Sequence, residues 1–136
     1  MRKGKGKGKA DRTARRLTDV ELELMTILWD LGEAGVADVL ARLPAGRALA
    51  YTSVSTILRI LEGKDVLKAR KQGRGHVYVP VLTRAQYEAH AVNDVVTRVF
   101  AGAPVAMVRQ LLGNSSLSED DVREIRQLLG RVTERR

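Results

Sequence analysis

The sequence predicts a mainly α-helical fold with one small β-hairpin, and two observations lead to it. Apolar residues recur at helical spacing in six stretches of the 136-residue chain. Between the third and the fourth stretch, the spacing changes to alternation around a Gly-Arg-Gly turn, which is typical of a hairpin. Because aromatic residues make up only 4% of the chain and apolar residues 44%, the core must be mostly aliphatic.

The first helix is expected to run from about Thr18 to Leu31. Thr18 or Asp19 can cap it, and Glu21 completes a Thr-x-x-Glu capping box. Trp29 is the only tryptophan in the chain. We expect it to anchor this helix against the core rather than to stack on a ligand, because large aromatic side chains usually serve burial.

A short second helix is expected over residues 36–43, and a third begins near Ala50. The hydroxyl groups of Thr52 and Ser53 are expected to cap the third helix. Opposite its apolar face, this helix carries short polar side chains and one long cation, namely Thr52, Ser53, Ser55, Thr56 and Arg59.

Residues 66–81 alternate apolar and polar side chains on both sides of the turn, which predicts the hairpin. Val77 and Val79 should face the core, and Tyr78 should lie on the other face or be partly covered. The hairpin is basic, and its cations are expected on one side or at the tip.

The net charge of +8 is unevenly distributed along the chain. Residues 1–17 carry +7, residues 18–49 carry −4, and residues 50–82 carry +4. The segment 1–16 alternates Lys with Gly and has almost nothing to bury, so we expect a disordered basic tail. The tail is either a solvated segment without a specific role or an arm that binds nucleic acid without sequence preference.

Three helices followed by a hairpin is the order of a winged helix-turn-helix DNA-binding domain, which we expect over residues 17–82. A helix about 10–12 Å thick fits the roughly 12 Å wide major groove, and short polar side chains let its backbone approach the bases. Taken singly, the polar helix face could be a solvated surface and the basic hairpin a protected sheet edge. Together they favour DNA binding, and the candidate DNA-binding residues are Tyr51, Thr52, Ser53, Ser55, Thr56, Arg59, Lys68, Arg70, Lys71 and Arg74.

Residues 83–136 are expected to form a helical dimerisation module. Their three helices carry more apolar residues than short separate helices need, while the winged-helix core is already complete before them. The simplest burial is against a second copy, and a homodimer would present two recognition helices to a pseudo-palindromic DNA operator. The alternative is that these helices fold back on their own winged domain. The candidate dimerisation residues are Val92, Val95, Val96, Val99, Phe100, Val108, Leu111, Leu112, Val122, Ile125 and Leu129.

The composition argues against several other classes of protein. Cysteine is absent, which excludes disulfide frameworks and thiol chemistry. No stretch approaches the roughly 18 apolar residues of a membrane span, and the basic start lacks a signal-peptide core, so we expect a cytoplasmic protein without membrane insertion. In the sequence, no cysteine or paired carboxylate stands at ligand spacing from His76 or His90, so we expect no enzyme, no metal and no cofactor.

Two motifs show a specific family resemblance. The first is the opening Leu-Thr-x-x-Glu-x-x-x-Met-x-x-Leu-Trp, carried by Leu17, Thr18, Glu21, Met25, Leu28 and Trp29. The second is Tyr-Thr-x-Val-x-Thr-x-Leu, carried by Tyr51, Thr52, Val54, Thr56 and Leu58. With these motifs, residues 17–129 resemble the penicillinase-repressor (BlaI/MecI/CopY) family. The resemblance implies a dimeric winged-helix repressor, with base contacts from Thr52, Ser53, Ser55 and Thr56.

The chain also departs from the family pattern. The family usually closes the recognition helix with Arg-Leu-x-x-Lys-Gly, whereas this chain has the cation at Arg59 and a glycine at Gly63. Relatives are inactivated when a membrane-bound metalloprotease sensor cuts an Asn-Phe bond, and the matching position here is Asp94–Val95. The copper-responsive branch uses a cysteine-rich C-terminus, which this chain lacks.

The main alternative function is a non-specific nucleoid-associated or RNA-binding protein that depends on the Lys/Gly-rich tail. The two functions differ in sequence dependence, because a repressor should bind one short palindrome about 10³-fold or more above random DNA.

Overall fold

The computed structural model of the protein describes residues 17–114 and 116–135, so the predicted tail over residues 1–16 lies outside the described part. The fold is mainly helical with one two-stranded antiparallel hairpin, which confirms the predicted fold class. The elements are α1 (Asp19–Leu31), α2 (Val36–Ala41), α3 (Tyr51–Gly63), β1 (Leu67–Gln72), β2 (Gly75–Pro80), α4 (Arg84–Val99), α5 (Pro104–Asn114) and α6 (Glu119–Glu134).

The described chain forms two compact units, residues 17–94 and residues 95–135. The first unit holds helices α1 to α3, the hairpin and most of α4. The second holds the end of α4 with α5 and α6. The predicted functional division after residue 82 stays a prediction.

The core of the first unit is aliphatic apart from one tyrosine. Helices α1 and α3 supply most of it, and α2 and the hairpin close it. The buried apolar residues are Leu24, Met25, Leu28, Ala34, Val39, Val54, Leu58, Leu61, Val66, Leu67 and Tyr78. Packing of α1 against α3 therefore fixes the outward direction of the remaining α3 faces.

Helix α1 begins with the predicted capping box. The hydroxyl of Thr18 accepts the backbone N–H of Glu21 at 3.1 Å, and the Glu21 carboxylate accepts the N–H of Thr18 at 2.9 Å. The same carboxylate, which is buried, accepts hydrogen bonds from the Lys64 ammonium at 2.9 and 3.0 Å. Glu21 thus ties the start of α1 to the end of α3.

Helix α3 begins differently from the prediction, because Thr52 and Ser53 do not cap it. The N-cap is Ala50, which makes no side-chain cap, and its carbonyl accepts the N–H of Val54 at 3.0 Å. The helix therefore starts one residue before the first hydroxyl, and both hydroxyl side chains are exposed on its first turn.

Helix α3 ends in a Schellman motif built on a residue other than glycine. The N–H of Val66 donates to the carbonyl of Leu61, and the N–H of Asp65 donates to that of Glu62, both at 3.0 Å. Asp65 takes the left-handed conformation, with φ +66°. Gly63 lies within the helix, where a Cβ would meet nothing within 4 Å.

This geometry predicts that a glycine at position 65 and a residue other than glycine at position 63 will each stabilise the protein. Asp65→Gly should raise the free energy of unfolding by about 1 kcal/mol, because glycine adopts positive φ without steric cost. Gly63→Ala should add about 0.5–1 kcal/mol through helix propensity. Urea unfolding measures both effects. Asp65→Ala is the matched control and should destabilise, so a stabilising Asp65→Ala would contradict the interpretation.

The hairpin, here called the wing, has its faces reversed from the prediction. Tyr78 is 4% exposed and faces the core, paired with Ala69 across the strands, whereas Val77 and Val79 are only partly buried. The reason lies outside the hairpin: backbone hydrogen bonds of 2.8 and 3.1 Å pair Tyr78 with Ala34, which extends the sheet by one bridge. This bridge fixes β2 against the segment before α2, with the Tyr78 side chain inward.

Trp29 anchors α1 as predicted, and its contacts reach the start of α4. Its indole N–H donates to the carbonyl of Leu82 at 2.9 Å, and its ring lies 5.8 Å from that of Tyr87. The Arg84 guanidinium lies 5.4 Å from the Trp29 ring centroid and 2.7 Å from the Asp30 carboxylate. Burial raises the pKa of Tyr87 above its ordinary value. The first turn of α4 is thus fixed to α1.

Candidate nucleic-acid interface

Helix α3 presents three different faces. Val54, Leu58 and Leu61 are buried in the core. The outward face carries Thr52, Ser53, Thr56 and Ile60, all exposed. The third face, with Tyr51, Ser55 and Arg59, lines a cleft beside the wing. The sequence predicts a single polar face for the hydroxyl residues and Arg59, and the structure divides it into two.

The outward face includes one residue that the sequence reasoning missed. Ile60 is 46% exposed, and it follows Thr52 and Thr56 at intervals of four residues. Residues at this interval form one row along a helix. The four-residue spacing is visible in the sequence, but the sequence analysis predicts only polar, charged and tyrosine side chains at the interface.

The cleft beside the wing, here called the wing cleft, has a volume of about 530 Å³ and opens to solvent. It lies between α3, the start of α2 and the inner face of the wing. Its lining residues are Gly35, Val36, Ala37, Asp38, Tyr51, Ser55, Arg59, Glu62, Ala69, Arg74, Gly75, His76 and Tyr78. Burial raises the pKa of the Tyr78 hydroxyl above its ordinary value. Two charged residues of α3 also act on this pKa: Glu62 raises it and Arg59 lowers it.

The wing carries its predicted cations on different faces. The strand register places Lys68 and Arg70 on the outer face, together with Val77 and Val79. Arg70 donates to the Glu33 carboxylate at 2.6 Å and to the Gln72 side chain at 2.9 Å. This pair is half exposed, so it contributes little to stability and Arg70 can exchange it for another anion.

The cations of the first unit divide into two groups. Arg47, Lys64, Arg70 and Arg84 each form an ion pair with an acid on or next to α1. By contrast, five cations form no ion pair within the part of the chain that the structure describes, namely Arg42, Arg59, Lys68, Lys71 and Arg74. Arg42 is the C-cap of α2, and the other four lie on α3 and the wing, so most of the unpaired positive charge is available there for an external anion.

The candidate dimerisation residues are all solvent-accessible within the single chain. None of the eleven is buried, and Val99 and Leu129 are more than 60% exposed. More generally, no described residue in 95–135 is buried. The second unit therefore has no interior of its own.

The structure also locates the candidate cleavage position and bears on metal binding and membrane spans. Asp94 and Val95 lie within α4, at the junction of the two compact units. Among the residues described, no group of three or more His, Asp or Glu side chains could hold a metal ion. In the same residues, no single helix is long and apolar enough to cross a membrane, and α4 with α5 meets that test only as a bent pair.

Three helices, a wing and an exposed polar face on the third helix define a winged-helix DNA-binding regulator. The family model of the penicillinase repressor matches residues 17–131. The chain belongs to this family, as the sequence motifs predicted. Family members are DNA-binding transcriptional repressors, and they are not enzymes.

The chain is also similar to individual proteins. The penicillinase repressor of Bacillus licheniformis is 27% identical over 114 residues, covering 84% of this chain and 89% of the relative. The transcriptional regulator BlaI of Mycobacterium tuberculosis is 36% identical over 84 residues, or 61% of each chain. A solution structure of monomeric B. licheniformis BlaI in complex with the blaP half-operator matches 53% of this chain and 88% of that chain, at 28% identity and a TM-score of 0.46.

Proposed function

We propose that the protein is a sequence-specific repressor that binds a pseudo-palindromic operator as a homodimer in the cytoplasm. Residues 17–82 would bind DNA and residues 83–136 would dimerise. The observation that carries the proposal is the outward face of α3, which presents Thr52, Ser53 and Thr56 beside unpaired cations. The B. licheniformis relative was solved in its monomeric form in complex with a half-operator, which supports DNA as the partner.

The chemistry of the outward face suits base readout. Threonine and serine hydroxyls both donate and accept hydrogen bonds, and the threonine methyl can contact the methyl group of thymine. Short side chains keep the α3 backbone close to the groove floor. The exposed row of Thr52, Thr56 and Ile60 spans about 12 Å along the helix, given a rise of 1.5 Å per residue.

Homodimerisation is supported by the state of the second unit. A segment of this size without buried residues does not offset its own ordering entropy, so it needs a partner surface. A second copy supplies the same apolar residues by two-fold symmetry. The two DNA-binding units then contact two half-sites.

In vitro selection of bound DNA tests the proposal directly. We expect one short palindrome, bound about 10³-fold or more above a shuffled duplex of the same composition. Equal affinity for both duplexes would contradict the proposal and favour the non-specific nucleoid-associated or RNA-binding alternative.

Replacing the outward hydroxyl residues should reduce sequence discrimination. Thr52→Ala or Thr56→Ala is expected to reduce the ratio of affinities for selected and mutated operator. The free-energy difference between the two complexes should fall by about 1–3 kcal/mol for each lost base contact. The matched control is Ser116→Ala, an exposed hydroxyl residue outside the first unit. Competition binding measures the ratio. An unchanged ratio in both variants would mean that the outward face of α3 does not read bases.

The basic tail should act on affinity without affecting specificity. Deleting residues 1–16 removes a charge of +7 and is expected to weaken binding to operator and random DNA alike. It should also flatten the dependence of log K on log salt, because fewer counterions are released. Titrations at several salt concentrations measure this slope, and an unchanged slope would show that the tail does not contact phosphate.

Release from the operator by a membrane-bound metalloprotease sensor is the remaining part of the proposal. The family resemblance points to Asp94–Val95, which lies in α4 and not in an open loop. A protease needs an extended substrate, so this turn of α4 would have to unwind. Mass spectrometry of the chain after induction should show a cut at this bond, and an intact repressor in induced cells would contradict it.

A further inference from the structure

The wing cleft brings two arginines together without giving either an anionic partner. Arg59 lines it from α3 and Arg74 lines it from the wing turn. Neither forms a hydrogen bond or an ion pair with any residue in 17–114 or 116–135. Both side chains line the same cleft, so an anion held there lies near both.

The two carboxylates in the same cleft are not equivalent. Asp38 accepts the backbone N–H of Gly35 at 3.2 Å and so serves the start of α2. Glu62 follows Arg59 by three residues on α3, and it makes no hydrogen bond or ion pair within the described chain. Its charge reaches the cleft interior, because it helps to raise the pKa of Tyr78. An anion near Arg59 therefore experiences repulsion from Glu62.

We propose that the wing cleft holds one phosphodiester group of the DNA backbone between Arg59 and Arg74, and that Glu62 weakens this contact. The inference rests on the proposed function, because it assumes that α3 faces the major groove. When α3 lies in the major groove and the wing beside it, the strand that separates the two grooves passes between them. We place the wing cleft at that position, because residues of both α3 and the wing line it.

Guanidinium groups are suited to this ligand. Arginine binds phosphate oxygens through two parallel N–H donors, and two arginines can share the oxygens of one group. Ser55 and His76 also line the wing cleft and could donate to the same group. These contacts carry no sequence information, so they set affinity and register while the outward face of α3 reads the bases.

Binding to a random-sequence duplex tests the inference without requiring operator preference. Arg59→Gln and Arg74→Gln should each weaken binding about tenfold. Replacing both should lower the slope of log K against log salt by about 0.9, because one phosphate is then no longer neutralised. Glu62→Gln should instead tighten binding roughly threefold with an unchanged slope, because it removes like-charge repulsion. If both arginines contact one phosphate, the double variant should lose less than the product of the single losses.

Two further variants distinguish the proposed contact from a structural role. Arg59→Lys keeps the charge but loses the paired donors, so it should keep the slope and lose only part of the affinity. Arg126→Gln on α6 removes one exposed cation outside the cleft and should leave both quantities unchanged. An unchanged slope in the double variant, or weaker binding by Glu62→Gln, would overturn the inference. A retained operator-to-shuffled ratio in those variants would leave the repressor function standing.

Discussion

Leu129→Asp is expected to convert the proposed homodimer into a monomer and to lower affinity for the full operator by about 10²-fold or more. Linking two DNA-binding units makes the second contact intramolecular, and the resulting gain is commonly 10²–10⁴-fold. Affinity for an isolated half-site should not change, because the outward face of α3 is left intact. Sedimentation velocity and parallel titrations with full and half operators measure the two effects.

The choice of Leu129 follows from the pattern on α6. Val122, Ile125, Leu129 and Val132 recur at intervals of three and four residues, which places them on one stripe of the helix. Leu129 is 61% exposed in the single chain, so it makes few contacts that an aspartate would break. A carboxylate buried without a partner at the dimer interface would be costly, whereas in the monomer it stays hydrated.

Gln127→Asp is the matched control for this prediction. At 100° per residue, Gln127 lies on the side of α6 opposite Leu129, and both residues are exposed in the single chain. The control should therefore remain dimeric and keep full operator affinity. A dimeric Leu129→Asp protein with unchanged operator binding would exclude this stripe as the dimer interface.

The elements that could be predicted from the sequence are those with local causes. The capping box of α1 depends on two residues three apart, and the hairpin depends on alternation around a short turn. Both are confirmed because the groups that decide them are neighbours in the chain. The same local patterns predicted the order of the helices and the wing. The motifs added the family resemblance, which the family model confirms.

The features that the sequence did not reveal depend on distant partners. Alternation in β2 is compatible with either face inward, and the bridge to Ala34 decides for Tyr78. Likewise, the polar residues of α3 looked like one surface until the position of the wing separated Arg59 and Ser55 from Thr52 and Thr56. In both cases the orientation of the side chains is determined by packing against another element and not by local propensity.

Glu21 also has a distant partner that the sequence did not reveal, because the sequence identified this residue only as part of a capping box. Its second partner, Lys64, is 43 residues away at the end of α3. The Glu21 side chain is 8% exposed and the Lys64 side chain 32% exposed, so the pair is partly desolvated. Such a pair is costly to break from one side, because the remaining charge loses its partner.

Glu21→Ala is therefore expected to lower the free energy of unfolding by about 2–3 kcal/mol. The loss combines the missing acceptor for the Thr18 N–H with an unpaired Lys64 at the end of α3. Glu21→Gln should lose less, since its amide oxygen can still accept from Thr18. Urea unfolding followed by Trp29 fluorescence measures these changes.

The matched control is Glu23→Ala on the same helix. Glu23 pairs with Arg47 at 3.0 Å, but that pair is more exposed than the Glu21–Lys64 pair, so its loss should have only a small effect on the free energy of unfolding.

Because Lys64 is the C-cap of α3, removing its ion pair should also increase fraying at the end of that helix. Hydrogen exchange at Asp65 and Val66, whose N–H groups close the Schellman motif, should become faster in Glu21→Ala and not in Glu23→Ala. Equal losses of stability in the two variants would show that burial of the Glu21–Lys64 pair does not matter.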